Sequence, residues 1–186
     1  MTFVRAGARG KVAVMLWKLR LLWYRTDKAV LAFSLFFGFV LGSLGFAASM
    51  VFAERDDRSA RVRDFHARNI ECLARNVYYE ARGEPKAGQY AVAEVTMNRK
   101  ASPLFPKTVC GVVYQKEAFS WTLLEDLEPP AGDAWRRAVV VAEDVYYQRR
   151  PPTMQGVTHF HATYVKPDWS AERQRVARIG RHVFYR

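Results

Sequence analysis

The stretch Asn76-Val-Tyr-Tyr-Glu80-Ala-Arg-Gly-Glu84-Pro85 predicts a helix that ends beside a carboxylate. The glycine and proline that follow stop the helix, and the residues before them place apolar side chains at helical spacing. We therefore expect a helix over about residues 66–80, with an inner face formed by Ile70, Leu73, Ala74 and Val77. Glu80 lies at its C-terminal end, where the helix dipole and burial among tyrosines both favour a protonated carboxyl group. These properties suit a general acid.

The sequence after this stretch predicts a mostly helical α+β domain. The expected elements are helices at 89–100, 108–115 and 134–148, an irregular segment at 118–133, and short strands or loops within 158–186. The element at 108–115 is short enough to be a helix or a turn, and Thr108 is placed to be its N-cap. The helix at 134–148 is strongly amphipathic, which predicts that Trp135 is a core residue.

Residues 29–53 form an apolar segment of 25 positions without a charged side chain. As a helix rising about 1.5 Å per residue, this segment is long enough to cross about 30 Å of hydrocarbon. Residues 1–28 carry seven basic side chains and one acidic one, so the positive-inside bias predicts a cytoplasmic arm. We expect a single-pass anchor in a bacterial inner membrane, a linker at 54–68 and a periplasmic catalytic domain at 69–186. The alternative is a cleaved signal peptide, with cleavage after Ala53.

The chain is strongly basic, with a formal net charge of +11. Residues 11–24 alternate apolar and basic side chains, which is typical of an interfacial helix, although a basic flank that only sets topology fits equally. A basic domain outside the cytoplasm would be attracted to an anionic polymer such as a bacterial wall or to outer lipid headgroups, although an excess of charge that only aids solubility fits equally. We expect no nucleic-acid partner, because no recognition motif is present and the predicted compartment is wrong.

The chain has two cysteines, Cys72 and Cys110, both in the predicted exported part. An even pair in an oxidising compartment predicts a disulfide, with two buried free thiols as the alternative. The four histidines include His159 and His161 but form no HExxH array, and no cysteine pair has metal-ligand spacing. We therefore expect no metal and no cofactor, although the two alternate histidines would point the same way on a strand.

Four separated blocks of the sequence resemble the SleB/CwlJ-type cell wall hydrolases, named for bacterial spore cortex-lytic enzymes. The blocks are CLARNVYYEARGEPKAGQYAVAEVTMNR (72–99), SPLFPKTVCGVVYQ with AFSWT (102–122), HFHATYVKPDW (159–169) and IGRHVFYR (179–186). The resemblance covers about residues 70–186. It implies a lysozyme-like, mostly helical fold that acts on peptidoglycan glycan strands, commonly as a lytic transglycosylase. It also implies that Glu80 is the catalytic acid.

Glycan cleavage by a transglycosylase needs only one protein carboxylate. Glu80 would protonate the glycosidic oxygen between N-acetylmuramic acid and N-acetylglucosamine, and would then take the proton of the C6 hydroxyl that attacks internally. A muramidase-type hydrolase needs a second carboxylate about 5 to 9.5 Å away, and the candidates are Glu84, Glu94, Glu117, Glu125 and Asp126. An N-acetylmuramoyl-L-alanine amidase and a non-catalytic wall-binding module remain as alternative functions.

The resemblance and the residue types also suggest a glycan-binding set. Its members are Tyr79, Glu84, Phe119, Ser120, Trp121, His161 and Tyr164. For the aromatic residues the alternative is simple burial in the core, and for Glu84 it is bracing of the loop that contains Arg82. The framework residues are expected to be Asn98, Arg99, Trp169 and the block 180–184. In that block we predict that His182 is a structural histidine with satisfied hydrogen bonds.

Overall fold

A computed structural model describes residues 15–20 and 27–186, and residues 15–20 are helical. Most of the predicted cytoplasmic arm at 1–28, and the rest of the predicted interfacial helix at 11–24, lie outside the described residues. The chain divides into two compact units, Met1–Ser59 and Ala60–Arg186.

The first long helix, α1, extends over Lys28–Ala81. It contains a segment that is long and apolar enough to cross a membrane, judged by length and composition. The hydroxyl groups of Ser34, Ser43 and Ser49 donate to backbone carbonyls three or four residues earlier, at 2.7 to 2.9 Å. These bonds satisfy the hydroxyl donors of the three serines within the helix itself.

Residues 54–68, expected as a linker, belong to α1 and are helical. The physical reason is local: neither glycine nor proline occurs between positions 46 and 82. Charged pairs four residues apart also support helical structure there. Arg58 contacts Glu54 at 3.5 Å, and Arg68 contacts Asp64. The predicted end of the helix near Glu80 agrees with its observed end at Ala81.

The unit Ala60–Arg186 continues with three more helices, two short 3-10 turns and a small sheet. These elements are α2 (Lys86–Ala101), α3 (Val109–Val113), a 3-10 turn (Ser120–Leu123), α4 (Gly132–Tyr146), β1 (His159–Ala162), a second 3-10 turn (Asp168–Ala171), β2 (Arg175–Ile179) and β3 (His182–Tyr185). The sheet is antiparallel in the order β1-β3-β2, and His161 of β1 pairs with Val183 of β3. The predicted α+β organisation is confirmed in this unit.

Two local predictions are confirmed with their expected chemistry. Thr108 caps α3, and its hydroxyl oxygen accepts from the backbone N–H of Gly111 at 3.0 Å. Cys72 and Cys110 form a disulfide that links α1 to α3, so the alternative of two free thiols is wrong. The bond fixes the C-terminal part of α1 within the unit.

The buried core has two parts that meet around the end of α1. One packs α1 against α3 and α4 through residues such as Leu73, Val77, Val109 and Val141. The other packs α2 against the sheet through residues such as Val92, Val95, Val157 and Phe184. Trp135 is only partly buried and packs against the first cluster, next to Tyr78.

Candidate active site

Glu80 lies in the last turn of α1 and lines a cleft of about 390 Å³. The cleft is enclosed by the end of α1, the Ser120–Leu123 turn and strand β1 with the residues that follow it. Six of the seven residues predicted to bind glycan line the same cleft: Tyr79, Phe119, Ser120, Trp121, His161 and Tyr164. Segments up to about 100 positions apart in the sequence therefore meet around one carboxyl group.

The carboxyl group of Glu80 is in an environment that favours its neutral form. Burial raises its pKa to about 7, and the positive charge of Arg99 offsets part of that rise. A group with a pKa near neutrality can both donate and accept a proton under ordinary conditions. Glu80 is thus suited to acid and base steps in turn.

Arg99 comes from α2 and is held rigidly beside this carboxyl group. It is only 8% exposed, and its Nε donates to the carbonyl of Thr158 at 2.7 Å. Its guanidinium carbon lies over the rings of Phe119 and Phe105, at 5.1 and 5.5 Å from their centroids. Burial lowers the pKa of Arg99 to about 10, against the opposing charge of Glu80.

The expectation that Arg99 is only a framework residue understates its position, because it lines the cleft. A signal for this was present in the sequence. Val92, Val95 and Arg99 are spaced by three and four residues, so they share the inward face of α2. A charged side chain on such a face is rarely buried without a charged neighbour, and the nearby carboxyl group is that of Glu80.

One wall of the cleft is aromatic and is fixed by buried hydrogen bonds. Tyr79 stacks on Trp121 with centroids 4.6 Å apart. The indole Nε1 of Trp121 donates to Asn76 Oδ1 at 3.0 Å, and Asn76 Nδ2 donates to Thr96 Oγ1 at 3.0 Å. The hydroxyl of Tyr79 donates to the carbonyl of Glu128 at 2.8 Å. The wall is therefore held in one arrangement before any ligand binds.

The opposite wall carries His161 and Tyr164. The Nδ1 of His161 is 2.9 Å from the carbonyl of Ala162, which can only accept, so Nδ1 carries the proton. Its Nε2 then accepts from the hydroxyl of Tyr185 at 2.9 Å, and the two rings stack. Both nitrogens of His161 are engaged within the protein, which leaves its ring surface to face the cleft. Tyr164 is 84% exposed and lies at the rim.

His182 also lines the cleft, and the prediction of a fully satisfied histidine is wrong. His182 is only 7% exposed, yet its Nδ1 has no hydrogen-bond partner among the described residues. Burial lowers the pKa of His182 below its ordinary value, although the charge of Glu84 opposes this change. The ring is held between Phe160 and Phe184, on the strand next to β1. A neutral imidazole is therefore part of the cleft wall.

Glu84 does not line this cleft, unlike the rest of the predicted glycan-binding set. Its side chain is 3% exposed and accepts from the backbone N–H and from Nε of Arg181, both at 2.8 Å. Burial would raise the pKa of Glu84, but these hydrogen bonds lower it below its ordinary range. Gly180 has a φ of +55°, and a Cβ there would overlap the carboxylate. Glu84 thus joins the loop after α1 to the β2–β3 turn.

The other candidate carboxylates also lie outside the cleft. Glu94 is buried and accepts from the backbone N–H groups of Thr153 and Met154, at 2.7 and 2.6 Å. The remaining three, Glu117, Glu125 and Asp126, are exposed. Among the described residues that line the cleft, Glu80 is the only carboxylate. The described ranges also contain no group of three or more His, Cys, Asp or Glu side chains arranged to hold a metal ion.

Comparisons with known proteins agree with the resemblance read from the sequence. The family model described as Cell Wall Hydrolase matches residues 83–185. A spore cortex-lytic enzyme of Bacillus subtilis is 35% identical over 120 residues, which are 64% of this chain and 38% of that protein. A spore cortex-lytic enzyme of Oceanobacillus iheyensis is 38% identical over 120 residues, which are 62% of this chain and 41% of that protein. The chain therefore spans about two fifths of the length of these relatives.

Two solved structures share the fold. The catalytic domain of the Bacillus cereus SleB protein gives a TM-score of 0.53 at 29% identity, covering 63% of this chain and 89% of that one. The catalytic domain of the germination-specific lytic transglycosylase SleB from Bacillus anthracis gives 0.54 at 29% identity, covering 63% and 93%. The family match begins three residues after Glu80, so the position of that carboxyl group comes from the structure of this chain.

Proposed function

Because this chain belongs to the cell wall hydrolase family, we propose that it is an enzyme that cleaves peptidoglycan with Glu80 as its general acid. The observation that carries the proposal is the single carboxyl group of the cleft, whose pKa is raised to about 7. A protonated acid is needed at the glycosidic oxygen, and burial, which raises the pKa of Glu80 here, is the usual way to keep a carboxyl group protonated near neutral pH.

The proposed reaction is that of a lytic transglycosylase. Glu80 donates its proton to the oxygen between N-acetylmuramic acid and N-acetylglucosamine, and the bond from that oxygen to the muramic acid C1 breaks. The C6 hydroxyl of the same muramic acid then attacks C1, and the Glu80 carboxylate takes the hydroxyl proton. The product carries a 1,6-anhydro ring, and Glu80 returns to its starting form without water.

The arrangement of charges supports this mechanism over hydrolysis with two carboxylates. A second acid about 5 to 9.5 Å away would be required to act as nucleophile or base. The candidates named from the sequence are either bonded within the protein, as Glu84 and Glu94 are, or exposed away from the cleft. Arg99 provides the complementary charge, because it stabilises the Glu80 carboxylate that forms after proton donation.

The cleft walls are proposed to position the glycan. Aromatic faces pack against the apolar faces of sugar rings, and the partly exposed ring of Tyr79 offers such a face. Trp121 is only 7% exposed and stacks on Tyr79, so it holds that ring in place. Tyr164 and Ser120 lie exposed at the opening, where their hydroxyl groups are available to sugar hydroxyls. His161 and Phe119 complete the lining.

The test is digestion of purified peptidoglycan by the full chain, with the products resolved by mass. We expect 1,6-anhydromuropeptides from the wild type and none from Glu80→Gln. Glu125→Gln is the matched control, since it removes an exposed carboxylate outside the cleft. Products with reducing ends from the wild type would show that the enzyme is a hydrolase and not a transglycosylase. An active Glu80→Gln variant would overturn the role of Glu80.

The same digestion separates the other reaction classes. An amidase would release peptides from intact glycan strands, and a metal-dependent one would lose activity on chelation. A wall-binding module without catalysis would bind peptidoglycan and release no fragments. Cleavage that continues in the presence of a chelator and ends in anhydro products is the result expected here.

The proposed location is a bacterial inner membrane, with residues 29–53 as the anchor and the catalytic domain at 69–186 in the periplasm. The apolar part of α1 and the basic residues before it support this topology. Mass measurement of the chain recovered from both the membrane fraction and the soluble fraction tests the anchor. An N-terminus at position 54 would instead show that Ala53 precedes a signal-peptide cleavage site.

A further inference from the structure

A second cavity, of about 500 Å³, lies between the loop after α1 and the first turns of α4. Four basic side chains line it, namely Arg82, Lys86, Arg136 and Arg137. None of its lining residues belongs to the cleft of Glu80. It is therefore a separate cavity, and no step of the proposed bond cleavage takes place in it.

The positive charge of this cavity is largely uncompensated. Arg82, Lys86 and Arg137 form no ion pair with any carboxylate in the described part of the chain. Of the four basic side chains, Arg136 alone is paired, with Asp133. The one carboxylate in the lining, that of Glu84, is occupied by Arg181. Three free cations around one cavity attract anionic groups.

Two of these cations lie against aromatic rings. The guanidinium carbon of Arg82 is 5.0 Å from the centroid of Tyr78, and Nζ of Lys86 is 5.8 Å from that of Tyr90. Such contacts limit the number of positions that a long side chain adopts, which reduces the entropy lost on binding. Val140 adds an apolar surface to the lining and is 53% exposed.

The combination of separated cations and an exposed aliphatic surface fits an acidic peptide better than a compact phosphate. A phosphate would engage one or two neighbouring cations and leave the apolar surface bare. A short peptide with two or more carboxylates would reach cations from both the α1–α2 loop and α4, while its aliphatic parts cover Val140. We infer that this cavity binds the acidic stem peptide that peptidoglycan carries on its muramic acid residues.

The inference rests on the proposed function, because the stem peptide must come from a glycan held at Glu80. Arg82 follows Glu80 by two residues, so their Cα atoms are at most about 7.6 Å apart. Three extended peptide residues span about 10 Å. The lining of the basic cavity thus begins, at the Arg82 backbone, within the span of a stem peptide measured from the Glu80 backbone.

The test is calorimetric binding of the synthetic peptide L-alanyl-γ-D-glutamyl-diaminopimelate to the full chain in an uncharged detergent. The variant Lys86→Gln/Arg137→Gln should weaken binding about tenfold, which is about 1.4 kcal/mol, since it removes two of the unpaired cations of the lining. Arg175→Gln/Arg178→Gln removes the same charge from exposed positions of β2 outside the cavity and should leave binding within about twofold. The same peptide with its carboxylates amidated should bind at least about tenfold more weakly than the free peptide.

Three results would overturn the inference: no binding of the free peptide, equal binding by the cavity variant and the wild type, or competition by inorganic phosphate as strong as by the peptide. The assay contains no glycan and involves no cleavage, so it does not depend on Glu80. Peptide binding without glycan cleavage would contradict only the proposed function. Cleavage of glycan strands stripped of peptides, without peptide binding, would contradict only this inference.

Discussion

Arg99 and Glu80 line the same cleft, and the charge of the guanidinium opposes the rise in the carboxyl pKa that burial causes. The pKa of about 7 is the balance of these two effects. The two side chains come from different helices, so tertiary packing sets the protonation state of the proposed acid.

The first prediction concerns removal of this charge. Arg99→Gln should raise the pKa of Glu80 further, because burial would act without the opposing cation. Since a general acid must be protonated, the alkaline fall in kcat/KM should begin near pH 7 in the wild type and move to higher pH in this variant. Arg99→Lys keeps the charge and should leave the fall close to its original position. A profile unchanged in Arg99→Gln would show that Arg99 acts through packing alone.

The second prediction links Glu80 to stability. Its pKa is raised in the folded state, so the native protein binds more protons than the unfolded chain between about pH 4.5 and about pH 7. The free energy of unfolding should therefore fall as pH rises through this window, by roughly 3 kcal/mol. Glu80→Gln should be more stable than the wild type at pH 8 and similar to it at pH 4.5, as measured by urea unfolding. An equal change in the free energy of unfolding at both pH values would contradict a raised pKa of Glu80.

The third prediction assigns Glu84 to structure. Glu84→Gln should lower the free energy of unfolding by about 1 to 3 kcal/mol at neutral pH, because it weakens a buried acceptor of two hydrogen bonds from Arg181. The pKa of Glu84 is lowered, so its contribution is present at neutral pH and is lost as pH falls through the folded-state pKa. Peptidoglycan cleavage per folded molecule should be retained. Loss of kcat without loss of stability would instead assign Glu84 a role in the reaction.

The fourth prediction concerns the buried bond beneath the aromatic wall. Trp121→Phe leaves Asn76 Oδ1 without its indole donor, which should cost about 1 to 3 kcal/mol in unfolding free energy. Trp135→Phe is the matched control, since no hydrogen bond from that indole occurs among the described side chains and it lies partly exposed. Equal destabilisation by both substitutions would show that loss of ring area is the whole effect.

The fifth prediction concerns the disulfide. Replacing Cys72 and Cys110 by serine should lower stability by about 3 to 4 kcal/mol, because the bond closes a loop of 38 positions in the unfolded chain. Urea unfolding of the full chain, compared with the wild type before and after reduction, measures the effect. The reduced wild type should match the double variant. A double variant as stable as the oxidised wild type would show that the disulfide does not stabilise the fold.

Prediction from the sequence worked best where the signal was local. The end of α1 beside Glu80, the Thr108 cap and the short C-terminal strands followed from helical spacing, stop residues and β-formers. The prediction was less accurate at residues 54–68, where the high density of charged side chains was interpreted as a linker. There the absence of helix-breaking residues and the charged pairs four residues apart maintain the helix.

The sequence by itself determined the elements, the family resemblance and the identity of the candidate acid, because these depend on residue types and short spacings along the chain. Only the tertiary structure decided which charged groups meet. It placed Arg99 beside Glu80, removed Glu84 from the cleft by bonding it to Arg181, and left Nδ1 of His182 unpartnered among the described residues. The physical reason is that burial and charge act through space, between residues as far apart as Glu84 and Arg181 in the chain.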